Sequence, residues 1–383
     1  MKPNAEFDII VHGATGFTGR LVAAHLHNRY GSDGPIKWAM SGRSQAKLEQ
    51  VRAEIGASVP LITADAADPA SLAAMVARTK CVVTTVGPYQ LYGEPLLAAC
   101  AAAGTDYLDL SGEPSWMAAM IPLYDAAAKA SGARIIFSAG FDSTPFELGV
   151  CYTQLLAQKH LGAPVPHVSG RVRDMRGGLS GGTAASGRAT MAAIQKDPSL
   201  LAVMFNPFAL TPGFTGPEQP RGDKVRRDEA LDVEVGPFMM AAINTKNVHR
   251  SNFLQGHPWG ENFTYDEMAV IQPGAQTEFP ALTGDNVPKP GEGPSREERE
   301  SGYYDLVFVG IAADGRQVRG AVHGDKDPGY ASTSKLIAET AICLVHERPD
   351  VAGGIWVAGA ALGQSLIDRL HTHAGLTFSD ETA

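Results

Sequence analysis

Cysteine is scarce in this sequence and widely scattered. Only four of the 383 residues are cysteine, and none forms a Cys-x-x-Cys pair or another zinc-ligand spacing. Structural zinc sites and small disulfide-linked folds depend on such spacings. The sequence therefore predicts no metal site, and the cysteines, which mostly stand among apolar neighbours, are expected to be reduced core residues.

Clustered positive charge and long apolar runs are also missing. The formal net charge is −9 at pH 7, and the only notable basic run, 224–227, is diluted by acidic neighbours. Because nucleic acids and anionic membranes are bound by clustered basic faces, neither is an expected partner. The longest apolar stretch, 351–366, is rich in Gly and Ala and too short for a membrane span. With no signal-peptide pattern before the first strand, the sequence predicts a cytoplasmic protein without an integral membrane segment.

Glycine, by contrast, is abundant, and three glycines define the most informative stretch of the chain. Residues 8–12 have the pattern of a buried strand, glycines follow at intervals of three, and apolar residues then recur at helical spacing. In a dinucleotide cradle the first glycine permits the tight turn, the second lets the backbone approach a pyrophosphate, and the third lets the helix pack closely. The amino end of the helix favours phosphate. The predicted cradle consists of Gly13, Thr15, Gly16, Phe17, Thr18 and Gly19. An ordinary strand-to-helix turn is the alternative.

The end of the second predicted strand indicates which dinucleotide is bound. About 20 residues after the glycine loop an NAD site has an acidic residue for the ribose, but this sequence has Arg43 there, after Ser41 and before Lys47. An arginine fork and a lysine can hold a 2′-phosphate that a carboxylate would repel. NADP is therefore predicted, unless Arg43 simply faces solvent. Asp65, after the third strand, is expected on the adenine side or, together with Asp68, as a helix cap.

Strands and helices alternate as far as residue 140, which predicts a doubly wound parallel sheet. The predicted strands are 8–12, 37–41, 60–64, 81–86, 106–110 and 134–139. The predicted helices are 18–29, 45–55, 69–79, 93–103 and 114–131. The fold class expected is α/β, with a Rossmann domain at 1–150 and a mixed α+β domain at 151–383 for substrate or oligomerisation. C-terminal helices are expected to pack back on the Rossmann domain.

The second half has weaker patterns. Predicted strands are 167–175, 231–249 and 262–271, and a hairpin joins 304–311 to 316–323 through Asp314-Gly315. Helices are predicted from Thr183 or Ser186 to Gln195 and at 331–347. The segments 206–229 and 273–300, rich in Pro, Gly and charge, are predicted to be long loops or lids.

Two strand ends supply candidate catalytic residues. Gly87, Pro88 and Tyr89 follow the fourth strand, where a nicotinamide is expected; Gly87 allows close backbone approach and Tyr89 offers a hydroxyl. A packed aromatic residue is the alternative for Tyr89. After the sixth strand, Thr144 to Glu147 has the pattern of a capping box, whereas Asp142 has no such structural explanation. Tyr89 and Asp142 are therefore the candidates for a proton-donating or substrate-orienting role.

Several short motifs together resemble the saccharopine dehydrogenase-like oxidoreductases, and among them the trans-acting enoyl reductases of bacterial lipid biosynthesis. The motifs are Gly13-Ala-Thr-Gly-Phe-Thr-Gly-Arg20, Ser41-Gly-Arg43, Val86-Gly-Pro-Tyr89, Tyr92-Gly-Glu-Pro95, Gly112-Glu113, Gly140-Phe-Asp-Ser143, Ser180-Gly-Gly-Thr183 and Asp327-Pro-Gly-Tyr330. The resemblance implies an NADP-binding Rossmann domain, a mixed second domain and reduction of a carbon–carbon double bond. Reduction of an imine, forming a C–N bond, is the alternative within the same scaffold.

The sequence also bears on three other functions: a short-chain dehydrogenase, a serine hydrolase and a regulator without turnover. A short-chain dehydrogenase is excluded because no tyrosine has a lysine four residues later. The run Gly178-Leu-Ser180-Gly-Gly182 matches the nucleophile elbow of serine hydrolases, but no oxyanion motif accompanies it. A cofactor-binding regulator without turnover stays open. Phe and Met residues between 205 and 240 favour a small, hydrophobic, carbonyl-conjugated substrate, and a homodimer is compatible with the chain.

Overall fold

The computed structural model describes residues 5–272, 287–289 and 291–383. The strands are β1 Phe7–His12, β2 Trp38–Gly42, β3 Leu61–Thr63, β4 Thr79–Thr84, β5 Asp106–Leu108, β6 Arg134–Phe137, β7 His167–Arg176, β8 Arg226–Asp228, β9 Val233–Pro237, β10 Thr264–Val270, β11 Tyr303–Ile311, β12 Gln317–Gly324, β13 Gly354–Val357 and β14 Leu376–Asp380. The helices are α1 Phe17–Tyr30, α2 Gln45–Glu54, α3 Pro69–Val76, α4 Tyr89–Tyr92, α5 Glu94–Ala103, α6 Pro114–Ser131, α7 Thr144–Leu161, α8 Gly181–Lys196, α9 Leu200–Phe205, α10 Ala241–Leu254, α11 Arg296–Ser301, α12 Thr333–Ile342 and α13 Ala358–His373.

The first sheet is parallel, with strand order β13-β6-β5-β4-β1-β2-β3. Alternate residues of β1 enter different core clusters, Ile9 and Val11 on one side and Ile10 on the other. Both faces of the sheet are therefore covered, which is why its strands are apolar throughout. The predicted doubly wound α/β fold is confirmed, and the predicted elements up to residue 140 agree with the structure to within three residues at each end.

The second sheet is mixed, with order β14-β12-β11-β7-β10-β9-β8. β7 and β10 run parallel, whereas the remaining neighbours are antiparallel. α7 leaves the end of β6 and packs against β11, where an added Cβ at Gly149 would stand 2.1 Å from the ring of Phe308. This close contact fixes the second sheet relative to the strand ends of the first.

One predicted strand is wrong over most of its length. Of the segment 231–249, only β9 is extended, and α10 begins at Ala241. The reason is that α10 buries polar side chains, so its sequence lacks the apolar stripe of a surface helix. The buried polar residues of α10 are Asn244, Lys246, Asn247, His249, Arg250, Ser251 and Asn252.

Other predictions in the second half agree with the structure. The Asp314-Gly315 hairpin pairs β11 with β12, and Gly315 has the positive φ of 86° that its turn requires. The helix at 331–347 is present as α12, with a π-helical turn at each end. The segment 206–229 contains only the short β8. Of the predicted loop 273–300, residues 273–286 and 290 lie outside the described residues.

β13 was not predicted, and it joins the first sheet from far along the chain. It pairs in parallel with β6 along Gly354–Val357. The apolar stretch 351–366 is therefore a sheet strand and the beginning of α13. Across the described ranges, no helix has both the length and the apolar character needed to cross a bilayer. The boundary at residue 150 remains a prediction; that position lies within α7.

Candidate cofactor and active site

The glycine loop between β1 and α1 has the close packing that a dinucleotide cradle needs. Gly13 has a φ of +86°, and a Cβ at Gly19 would stand only 2.1 Å from the carbonyl oxygen of Gly13. Gly16 is the N-cap of α1 and makes no side-chain capping bond, so the N–H groups of the first turn have no side-chain cap. The loop thus fits a pyrophosphate, with the helix amino end supplying donors and a partial positive charge.

The other loop residues face neighbouring segments. The ring of Phe17 meets the edge of Tyr330 at 5.2 Å, and the guanidinium of Arg299 lies 5.4 Å from the Phe17 ring centre. Thr15 lies beside Gly42 at the end of β2, and its carbonyl accepts from Arg20. Residues of the second half therefore cover the loop. Thr18 is half-buried in the first turn of α1.

The end of β2 presents the predicted 2′-phosphate residues to solvent. Arg43 and Lys47 are exposed, and within the described part of the chain neither makes an ion pair. Ser41 is buried: its hydroxyl bonds to His12 at 3.1 Å, and its carbonyl accepts from the N–H groups of Gly13 and Ala14. Ser41 thus fixes the glycine loop, while Arg43 and Lys47 are available to an anion.

Asp65 follows β3 and sits on the same edge of the sheet. Asp68, rather than Asp65, caps α3 by accepting from Ala70, whereas Asp65 accepts from the N–H of Ala67 in the preceding turn. Burial lowers the pKa of His12 to about 4, although the charge of Asp65 opposes that shift. Asp65 is therefore close enough to the end of β1 for its charge to act on His12. The place of Asp65 on the adenine side remains a prediction.

Tyr89 is buried at the start of α4, with 5% of its surface exposed. Its hydroxyl donates to the carbonyl of Thr84 at 3.1 Å and accepts from the N–H of Leu110 at 3.1 Å. Burial raises the pKa of this phenol well above its usual value. The single hydroxyl hydrogen is already used, so the side chain joins the ends of β4 and β5. The preceding Gly87 is exposed and Pro88 is buried.

Glu113 is a buried carboxylate that the residue patterns alone did not single out. Its two oxygens accept from the N–H groups of Tyr89 and Gln90, at 3.0 and 2.8 Å, and so cap α4 from another segment. Its position directly after Gly112, near the end of β5, was the available signal. Glu113 thus holds the loop that carries Gly87 and Tyr89.

Asp142 lies at the carboxyl end of the sheet, between β6 and α7. Its Oδ1 is enclosed and has no hydrogen-bond partner among the described residues, and burial raises the pKa of the carboxyl to about 7. The capping box predicted beside it is wrong. Ser143 is the N-cap of α7 and makes no side-chain capping bond, while Glu147 accepts from Ser251 and from the N–H of Gly359.

α10 contacts both a second buried carboxyl group, that of Glu267, and Ser143, the residue after Asp142. Asn244 donates to Glu267 Oε1 at 2.7 Å, and Tyr265 donates to Glu267 Oε2 at 2.8 Å. One turn along the same helix face, Asn247 donates to Ser143 at 2.8 Å. We call Asp142, Ser143, Asn244, Asn247 and Glu267 the carboxyl cluster. Sequence reasoning missed its α10 and β10 members because α10 was predicted as a strand.

α8 extends along the same edge of the first sheet. Its N-cap Ser180 accepts from the N–H of Thr183, and the N–H of Ser180 donates to Tyr330. Thr190 accepts from Gln90 at 3.1 Å. These contacts place α8 over the predicted nicotinamide region. Ser180 is a helix cap here, which favours a structural role over that of a hydrolase nucleophile.

Comparison with known proteins agrees with this geometry. The family model of the saccharopine dehydrogenase NADP binding domain matches residues 9–136. A Mycobacterium tuberculosis protein with the provisional name trans-acting enoyl reductase is 37% identical over 402 aligned residues, covering 95% of each chain. A trans-acting enoyl reductase of Mycobacterium bovis is 36% identical over 413, covering 95% of this chain and 96% of its own.

The chain belongs to the saccharopine dehydrogenase-like oxidoreductases. Apo saccharopine dehydrogenase (L-Glu forming) from Saccharomyces cerevisiae has the same fold, with a TM-score of 0.59 at 10% identity over 98% of this chain and 100% of that one. The family resemblance predicted from the motifs is confirmed, and so is NADP(H) as the cofactor. The family places the protein among NADP-binding oxidoreductases.

One surface cleft of this family member lies away from the cofactor edge. It measures about 480 Å³ and lies around the amino end of β7. Its central Arg171 is buried and paired with Asp228 at 2.6 Å and Asp266 at 2.8 Å. Because these charges neutralise one another and the glycine loop lies at the other sheet, the strand ends of the first sheet remain the candidate active site.

Proposed function

We propose that this protein reduces a conjugated carbon–carbon double bond of a hydrophobic carbonyl compound, using NADPH. The observation that carries the proposal is Asp142, a carboxyl group with an enclosed, unpartnered oxygen at the carboxyl end of the first sheet. An unpaired buried carboxylate is costly, so the group holds a proton near neutral pH. A protonated acid beside the cofactor edge is what a reductase needs to complete the reduction.

The loop geometry supports the proposed cofactor-holding residues. Gly13, Gly16 and Gly19 would receive the pyrophosphate at the amino end of α1, and Arg43 with Lys47 would hold the 2′-phosphate. Bound NADPH supplies a hydride to the electron-poor β-carbon. The chain itself must then supply one proton to the enolate.

Asp142 is the proposed proton donor, and Tyr89 is the other candidate. Donation by Tyr89 would break its bond to the Thr84 carbonyl and leave that acceptor unpaired in the core. Proton donation by Asp142 has no such cost, because its enclosed Oδ1 has no hydrogen-bond partner among the described residues. Asp142 is therefore favoured, and the role of Tyr89 as a donor remains a prediction to be tested.

Apolar side chains near the strand ends support a hydrophobic substrate. The methyl group of Met240 lies 3.7 Å from the position that a Cβ of Gly112 would take, near the end of β5. Met239 beside it is 41% exposed, and Phe205 on α9 is 81% exposed. Ordinary surface exposure accounts for single residues, but the similarity to proteins named enoyl reductases adds weight to an apolar, enoyl-type substrate.

Substrate screening tests the proposal. NADPH oxidation would be followed with three sets of compounds: enones, enoyl thioesters, and keto acids mixed with amines. We expect turnover with the first or second set and its loss in Asp142→Asn. Turnover only with the third set would support imine reduction instead. NADPH binding with no turnover in any set would favour a regulatory protein.

A further inference from the structure

Asp109 is a fully buried carboxyl group that takes no part in the proposed proton transfer. It directly follows Leu108, the last residue of β5. Its Oδ1 accepts from the N–H groups of Ser111 and Ser138, each at 3.0 Å. Its Oδ2 accepts from the hydroxyl of Tyr107, also at 3.0 Å. The side chain at the end of β5 thus binds the main chain at the end of the neighbouring strand, β6.

Ser138 begins the turn that carries Asp142, and its backbone conformation needs support. Its φ is +58°, in the left-handed region that a serine rarely adopts, and such a residue persists only where its surroundings hold it. Asp109 holds its N–H, and its hydroxyl donates to the carbonyl of Ser111 at 2.6 Å. Its own carbonyl accepts from the N–H of Ser143 at 3.0 Å, which closes the turn around Asp142. We call Asp109, Ser111 and Ser138 the strand-end clamp.

The strand-end clamp is also linked to the segment after β4. The hydroxyl oxygen of Ser111 accepts from the N–H of Glu113 at 3.2 Å. The carboxylate of Glu113 in turn accepts from the N–H groups of Tyr89 and Gln90. A continuous series of hydrogen bonds therefore joins the ends of β4, β5 and β6, where the nicotinamide and the substrate are expected.

We infer that Asp109 is a positioning residue of the active site: its carboxyl group fixes the turn after β6 and so sets the place of Asp142 relative to the segment after β4. The inference rests on the proposed reduction for the role of Asp142, whereas the hydrogen bonds belong to the chain itself. In the sheet, β5 and β6 lie on one side of β4, and β1 and β2, which lead to the glycine loop and Arg43, lie on the other. Asp109 should therefore affect the reaction more than the affinity for NADPH.

The strand-end clamp can work in either protonation state of Asp109. Burial raises the pKa of this carboxyl group to about 7, although its hydrogen bonds act in the opposite direction. When Oδ2 carries a proton, the hydroxyl of Tyr107 can accept instead of donating, and Oδ1 still accepts from both N–H groups. An asparagine side chain can do the same, with its carbonyl oxygen in place of Oδ1. Asp109→Asn should therefore keep the clamp, whereas Asp109→Ala should abolish it.

The first test needs neither cofactor nor substrate. Amide hydrogen exchange in residues 138–146 would be compared between the parent, Asp109→Ala, Asp109→Asn and Tyr107→Phe. Tyr107→Phe is the matched control, because it removes a hydrogen bond of Asp109 but leaves both main-chain N–H bonds in place. We expect exchange about tenfold faster in Asp109→Ala and within about threefold of the parent in the other two variants. Parent-like exchange in Asp109→Ala, or an equal increase in Tyr107→Phe, would overturn the inference.

The second test is turnover, measured per folded protein and below the melting transition, together with NADPH titration. Asp109→Ala should lower kcat by about a hundredfold, because a misplacement of about 1 Å can cost that much, while the Kd for NADPH changes by less than about threefold. Asp109→Asn should restore kcat to within about threefold of the parent. A parent-like kcat in Asp109→Ala, or no restoration by Asp109→Asn, would overturn the inference.

Ser138→Gly decides the question if Asp109→Ala does not fold. Glycine suits the positive φ at this position, and the substitution removes the hydroxyl that donates to Ser111. We expect faster exchange in residues 138–146 and a kcat about tenfold lower, at near-parent affinity for NADPH. Unchanged exchange and kcat in Ser138→Gly would overturn the inference. If the parent reduces none of the compounds, the proposed function fails, and the exchange data still decide whether the clamp holds the turn.

Discussion

Gly19→Ala is the sharpest test of the cofactor loop, because the structure predicts where the added atom would go. A Cβ at Gly19 would stand 2.1 Å from the carbonyl oxygen of Gly13 and 2.8 Å from the hydroxyl of Thr85. Ordinary van der Waals contacts of a Cβ lie at 3.4–4 Å, well beyond the first of these distances. α1 cannot easily move away because Val22, Ala23 and Leu26 are fully buried. Overpacking of this kind costs about 1–3 kcal/mol.

The assay is thermal unfolding combined with NADPH titration. A loss of about 1–3 kcal/mol lowers the melting temperature by roughly 2–4 °C per kcal/mol in a domain of this size. Gly16→Ala is the matched control, since its Cβ would meet Gly13 at 3.3 Å and needs only a small adjustment. We expect Gly16→Ala to keep the parent's melting temperature while weakening NADPH binding. A Gly19→Ala protein that melts and binds NADPH like the parent would refute the reasoning.

Three further predictions concern the remaining site residues. Arg43→Asp should weaken NADPH binding by about 1.5–3 kcal/mol, or roughly ten- to a hundredfold, and improve NADH binding; unchanged NADPH titration would remove Arg43 from the 2′-phosphate site. Tyr89→Phe should remove the hydrogen bonds to the Thr84 carbonyl and the Leu110 N–H and lower the free energy of unfolding by about 1–3 kcal/mol, while turnover stays within about threefold of the parent. A hundredfold fall in turnover at unchanged stability would instead make Tyr89 the proton donor. Because burial raises the pKa of Asp142 to about 7, protonation of this carboxyl group stabilises the fold fully below ~pH 4, and the stabilisation is lost as the pH rises through 7. The melting temperature of Asp142→Asn should therefore rise relative to that of the parent over this pH range, and a constant difference would contradict the assignment.

The first sheet could be predicted because its signals are local. Each strand is a short apolar run, and each is followed by a turn and a helix within a few residues. The order of the elements can therefore be predicted from local sequence patterns, without knowledge of the tertiary structure. The glycine loop and Arg43 belong to the same local pattern. This is why the cofactor class could be predicted from residues 8–47 alone.

The parts that could not be predicted depend on partners distant in the sequence. α10 has no apolar stripe because its buried polar side chains form hydrogen bonds with Glu267, Ser143 and main-chain groups of other segments. Glu267 could not be singled out from the sequence, since nothing near it in the chain indicates that its carboxyl group bonds to Asn244 of α10. Tyr89 shows the reverse case: its place after Gly87-Pro88 favours catalysis, but two main-chain groups use its hydroxyl.

β13 is synthesised long after its partner β6, and this affects how the chain folds during synthesis. β6 ends at Phe137 and is synthesised long before Gly354–Val357, so its outer edge stays open until the chain has been made as far as β13. An open edge of parallel sheet invites pairing with other chains. The amino-terminal half expressed alone would therefore lack one strand of the first sheet. A fragment that stops before Gly354 would leave the outer edge of β6 unpaired.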